Sequence, residues 1–195
     1  MTGARTRRLA AVAALLLAVA CFGQAGWIHA KAWLAQALIA RAFEVGTGPG
    51  DSPQERAWPW ADTHPVAKLR LPGAERPLFV LAGNSGRNLA FGPTLDPAGA
   101  LPGDPGNSII AAHRDTHFRS LATLAAGDRI EVERRDGRRL AFVVTAVEVV
   151  DSRRARLALD TGAPRLTLVT CYPFDAADPG GPLRFVATAV PAGRL

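Results

Sequence analysis

Residues 129–151 read RIEVERRDGRRLAFVVTAVEVVD. Ile130 and Val132 alternate with charged neighbours before Asp136-Gly137, and Leu140, Phe142 and Val144 alternate after it. A period of two marks half-buried strands, and Asp-Gly accepts the positive φ angles that a tight hairpin turn needs. Outward from this hairpin the same pattern recurs, short apolar runs bounded by Gly, Pro and Asp. Strands are expected at 66–71, 78–81, 108–112, 129–135, 138–151, 165–171 and 183–190. The Gly/Pro-rich stretch 91–106 is expected to be a long connection with little regular structure, and 121–126 one short helix. Seven or so strands with almost no helix predict an all-β domain, a compact barrel or sandwich, of about 130 residues. The arginines of RRDGRR, with Arg153, Arg154 and Arg156, read as solvated edges that discourage strand pairing.

The chain has 195 residues, 48% hydrophobic and 21% charged, too apolar for a disordered chain. Its net charge is +6, but the excess is local. Through residue 50 five bases face one acid, and the remainder holds 18 bases against 16 acids, only +2. A domain at +2 with few aromatics among its bases requires no nucleic-acid partner.

Arg5, Arg7 and Arg8 precede twenty uncharged residues, LAAVAALLLAVACFGQAGWI at 9–28. About 20 such residues span a ~30 Å hydrocarbon core, the arginines favour the cytoplasmic side, and Trp27 and Trp33 suit the opposite interface. The expected organisation is a basic cytoplasmic tail at 1–8, a transmembrane signal anchor at 9–28, a stalk and linker at 29–62, and the β-domain at 63–195. The stalk begins with helical spacing at Trp33, Leu34, Ala37, Leu38 and Phe43, and 46–62 read as linker. Cleavage after Ala18-Val19-Ala20, a lipoprotein site at Cys21, and a buried core helix are the rival readings. With an uncleaved anchor, everything after about residue 30 lies outside the cytoplasm.

Three stretches could carry chemistry: SIIAAHRDTHF (108–118), RLTLVTCYPF (165–174) and GPLRFVATAV (181–190). Cys171 ends a strand where Tyr172-Pro173 breaks it, so the thiol is expected at a sheet rim. It is the one cysteine of the exported domain and has no intramolecular partner there, so it is either a reactive thiol or an inert buried one. A thiol with a pKa near ~8.5 needs an activating group to serve as a nucleophile at neutral pH. His113 also ends a strand and can exchange a proton or steady a thiolate, or it is simply a hydrogen-bonded rim histidine. His113 and His117 have His-x-x-x-His spacing, but Arg114 stands where a zinc helix would carry glutamate, and the lead-in is β, so no metal is expected. Arg184 opens the last strand among apolar neighbours. There it could hold an oxyanion, or it is an exposed strand arginine.

Taken together, the three stretches resemble the sortases, membrane-anchored cysteine transpeptidases built on a closed β-barrel. Thr167-Leu168-Val169-Thr170-Cys171 matches the TLxTC motif, His113 the strand-terminal histidine, and Arg184 the arginine of the following strand. The extended forms HRDTHF and TCYPF resemble the Gram-negative subgroup, class GN. Ala112 departs from the family's Gly before the histidine, and the stretch between Cys171 and Arg184 is short. The resemblance implies that Cys171 attacks an LPxTG-like sorting signal near the C-terminus of an exported protein. Arg184 would then hold the carbonyl oxygen, His113 would shuttle the proton, and an acceptor amine would resolve the thioacyl enzyme. It implies that Thr170 shapes the pocket for the substrate backbone, that no cofactor is needed, and that the enzyme sits in the inner membrane with its catalytic domain in the periplasm. Two other readings stand beside it: a thiol hydrolase that trims without ligation, and an anchored β-domain that only binds.

Overall fold

The computed structural model describes residues 2–46, 56–176 and 180–193. Of the expected linker, residues 47–55 lie outside the described residues. The segments read as tail, anchor and start of the stalk form one helix, α1 (Thr2–Val45), and its stretch Leu9–Val45 is long and apolar enough to cross a membrane. The chain divides into two compact units, Met1–Ala37 and Leu38–Leu195. Residues 38–45 thus belong to the unit that holds the strands. There Ile39, Ala42 and Phe43 are buried, Phe43 meets the Phe79 ring at 5.6 Å, and Lys68 lies over the Phe43 ring and pairs with Glu44 at 2.7 Å.

Eight strands follow: β1 (Pro65–Arg70), β2 (Leu78–Ala82), β3 (Thr94–Leu95), β4 (Gly106–Ala111), β5 (Arg129–Arg134), β6 (Arg139–Asp151), β7 (Pro164–Cys171) and β8 (Leu183–Pro191). They close into a barrel in the order β1-β2-β3-β4-β7-β8-β6-β5. Alternation explains the closure. Leu69, Val80, Ile110, Ile130, Phe142, Leu166 and Leu168 point inward from six different strands and are fully buried. A closed sheet also leaves no long unpaired edge to recruit other chains.

The 91–106 connection is more ordered than expected. It contains β3, which pairs parallel to β2 and antiparallel to β4 and so closes the barrel. Two residues cannot display a period, so the strand left no sequence signal. Just before it, α2 (Gly86–Leu89) is a single turn capped by Ser85, whose hydroxyl accepts from the Asn88 amide. The helix expected at 121–126 is a short 3-10 turn, Arg119–Thr123, which stops where Leu124 becomes extended.

At the Asp136-Gly137 turn only Gly137 has positive φ, at 85°. The loop is therefore three residues closed by Arg134 N–H to the Arg138 carbonyl, not a two-residue turn. RRDGRR is likewise not all solvated edge. Arg134 keeps the inward parity of β5, is buried, and bridges Asp104 at 2.7 Å and Asp136 at 2.8 Å.

Candidate active site

The site is built by register. β7 lies between β4, parallel to it, and β8, antiparallel to it. Cys171 is directly opposite Arg184, so their side chains share a face. On the other side Ala111 pairs with Val169, and the Ala112 amide reaches the Val169 carbonyl at 3.2 Å. β4 ends at Ala111, and His113 follows it by two residues as Cys171 follows Val169, so both lie at the same end of the β4–β7 pair. Leu166, Leu168 and Ile110 fill the interior, so Val169, Cys171 and Ala111 have the opposite, outward parity. His113, Cys171 and Arg184 thus lie at one rim of the barrel. His113 is exposed, and Cys171 and Arg184 are half-buried.

Each strand exit is fixed locally. After β4 the chain turns sharply, and the Phe118 amide donates to the His113 carbonyl at 3.0 Å while the Phe118 ring is fully buried. His113 and His117 sit in that turn and do not share a helical face. Burial, and then the charge of His113, push the His117 pKa down, and Thr116 Oγ1 lies 3.3 Å from its Nδ1. Thr170 faces inward, is buried, and donates from Oγ1 to the Ala112 carbonyl at 2.8 Å, which ties the end of β4 to β7 just before both catalytic candidates. On the outer face Thr167 Oγ1 and Asn107 Oδ1 make a second buried link, at 2.8 Å. Past the thiol, Tyr172, Phe174 and Phe185 form a chain of edge-on rings with centroids 6.1 and 5.3 Å apart.

Arg114, which in the sequence stands where a zinc helix would carry glutamate and follows the motif histidine in HRDTHF, is buried. Its Nε and Nη2 donate to the Asp115 carboxylate at 2.9 and 3.4 Å, its Nη1 to the Pro173 carbonyl, and its Nη2 to the Ala176 carbonyl at 3.0 Å. The Asp115 hydrogen bond raises the Arg114 pKa against the opposing pull of burial, and the charges of Asp115, Cys171 and Asp175 add to the rise. The same hydrogen bond holds Asp115 below the usual carboxylate range. A strand-terminal HRD triplet was the available signal, but nothing in it says where the guanidinium goes.

A cavity of about 310 Å³ lined by Lys68, Arg70, Glu131 and Arg139 lies on the β1–β5–β6 wall, across the barrel from the rim. It holds none of the candidate residues.

A family model for the sortase domain matches residues 69–192, most of the barrel and all three rim residues. The chain belongs to the sortase family. Sortases are cysteine transpeptidases, and the solved structures similar to this chain are sortases as well. Sortase A from Corynebacterium diphtheriae, in a lid mutant, is 21% identical with a TM-score of 0.62, over 85% of this chain and 96% of that one. Sortase C-1 from Actinomyces oris is 23% identical with a TM-score of 0.59, over 80% of this chain and 99% of that one. A Clostridium perfringens Sortase D5 transpeptidase is 21% identical with a TM-score of 0.58, over 67% of this chain and 80% of that one. At these identities the likeness establishes the closed eight-stranded sortase barrel. No curated protein matches the chain significantly.

Proposed function

We propose that this sortase cleaves an LPxTG-like C-terminal sorting signal of an exported protein and joins the product to an amine, with Cys171 as nucleophile, His113 as proton carrier and Arg184 as oxyanion holder. The observation that supports this reading is that β7 lies between β4, whose end leads into His113, and β8, where Arg184 pairs with Cys171. The Cys171 thiolate adds to the threonine carbonyl carbon, and Arg184 holds the oxygen as it gains charge. The C–N bond breaks, the His113 imidazolium gives its proton to the departing amine, and a thioester remains on Cys171. An incoming amine attacks the thioester, His113 takes its proton, an amide forms and the thiolate is released. Water in place of the amine gives hydrolysis.

Thr170 supports the substrate pocket from within the barrel by holding the strand that ends at His113. The arginines before an apolar helix support an inner-membrane anchor with the barrel on the periplasmic side. The HRDTHF and TCYPF motifs support membership of class GN, although the matched structures are Gram-positive sortases of classes A, C and D.

The test is product analysis on the full-length protein in detergent, using an LPxTG peptide with and without an added amine. An amide adduct that appears only with the amine, and never in Cys171→Ala, is the expected result. Cleaved peptide with no adduct at any amine concentration means a thiol hydrolase. Binding that survives thiol alkylation means a binding module.

A further inference from the structure

The donors of Arg114 connect two segments that the reaction must hold together. Its backbone directly follows His113 in the turn after β4. Its guanidinium grips the carbonyls of Pro173 and Ala176, in the segment that leaves Cys171. Four hydrogen bonds engage it, two to Asp115 and two to this segment. The side chain is only 4% exposed, while that of Asp115, its carboxylate partner among the described residues, is 63% exposed. Burying a cation this fully is a poor route to stability, because apolar residues of similar volume commonly serve as well or better. A planar fork, however, can hold two carbonyls and a carboxylate at fixed angles, which an apolar side chain or a single ammonium cannot.

We propose that Arg114 is a positioning residue of the sortase reaction, clamping the segment that leaves the thiol to the turn that carries His113. The inference rests on the assignment of Cys171 and His113 given above. It divides the work at the rim. His113 moves the proton, and Arg114 holds the turn that carries it to the segment that follows the thiol. Arg114 holds the start of the segment after Cys171 at Pro173 and Ala176, and Arg184 Nη1 donates to the Gly181 carbonyl at 2.7 Å.

The experiment compares wild type, Arg114→Gln and Arg114→Lys as full-length proteins in detergent, with folding checked by near-ultraviolet circular dichroism. Two quantities are read: kcat and KM on an LPxTG peptide, and the rate at which iodoacetamide labels Cys171 at neutral pH, followed on the Cys171 peptide by mass spectrometry. Arg114→Gln is expected to lose ~10–100-fold in kcat with KM nearly unchanged, the loss that a misplacement of about 1 Å produces. Its Cys171 labelling should change by more than about twofold, because the segment that follows the thiol is no longer held. Arg114→Lys should lose kcat as well, because a single ammonium cannot hold two carbonyls and a carboxylate at fixed angles.

Wild-type kcat and labelling in Arg114→Gln would overturn the proposal, as would a loss that falls on KM with kcat unchanged. If Arg114→Gln does not fold, a folded Arg114→Lys with wild-type kcat overturns the clamp, and failure of both to fold makes Arg114 a fold determinant instead. Cys171→Ala is run alongside. If it turns over peptide, the catalytic assignment itself has failed, whatever the Arg114 variants do.

Discussion

Arg184 spends one nitrogen, Nη1, on the carbonyls of Gly181 and Leu183 at 2.7 and 2.8 Å. Among the described residues Nε and Nη2 find no acceptor, so half of the fork is available to a substrate oxygen beside Cys171. Arg184→Ala is therefore expected to lower kcat/KM by ~10², the usual cost of one oxyanion donor, in a steady-state peptide assay. An unchanged kcat/KM would remove Arg184 from the mechanism. His117 makes a different prediction. Its folded pKa lies below 6.5, first because of burial and then because of the His113 charge. Between that lowered value and 6.5 the unfolded chain binds a proton that the folded chain refuses, so stability is lost as pH falls through this window. His64, also pushed down by burial, acts in the same direction. Thermal melts of His117→Gln should fall less steeply than wild type on going from about pH 7 to about pH 5. At this scale the sequence was most informative where a residue type is itself unusual, an unpaired cysteine or an arginine within an apolar strand. Arg114 shows the limit, because a charged residue in a turn looks solvated until its acceptors, 59 and 62 positions away, are in place.

Among the elements, β5, β6, β7 and β8 were legible because each repeats a period of two over six residues or more. β3 was not, since its two residues are strand only because β2 and β4 flank them. The pairing that matters most to the site, β4 beside β7, has no local signal at all. Parallel neighbours are not joined by a tight turn, and here the connection runs through β5 and β6. Only the resemblance of the three motifs anticipated that His113 and Cys171 would meet. The Thr170 hydroxyl on the Ala112 carbonyl holds that junction. Thr170→Val keeps the shape but leaves a buried carbonyl without this donor. It should cost about 1–3 kcal/mol in urea denaturation and lower kcat as His113 loosens. If stability and kcat both stay at wild-type values, the link does not hold the junction.

For the whole molecule, the sequence expectation began the β-domain at residue 63, after a stalk and linker. The compact unit that contains the barrel begins at Leu38. The last helical turns bury Ile39 and Phe43, each almost completely. Helical spacing at Leu38 and Phe43 was visible in the sequence, but which surface would receive it was not, because Phe79 and Lys68 lie on strands of their own. Burying a large apolar side chain is worth ~1.5–3 kcal/mol. A chain that starts at residue 38 should therefore resist guanidinium better than one that starts at 63, by at least ~3 kcal/mol. Equal stabilities would mean that the helix end does not pack on the barrel in solution.

In the proposed mechanism one thiol, Cys171, is the point on which imidazole and guanidinium act. Intact-mass spectrometry of the full-length protein, quenched in acid during turnover of an LPxTG peptide, tests this most directly. The expected spectrum shows the enzyme heavier by the acyl part of the peptide, with the added mass on the peptide that contains Cys171 and lost when an amine is added before the quench. Peptide cleavage with no acyl mass on Cys171, or with acyl mass on another residue, would contradict it.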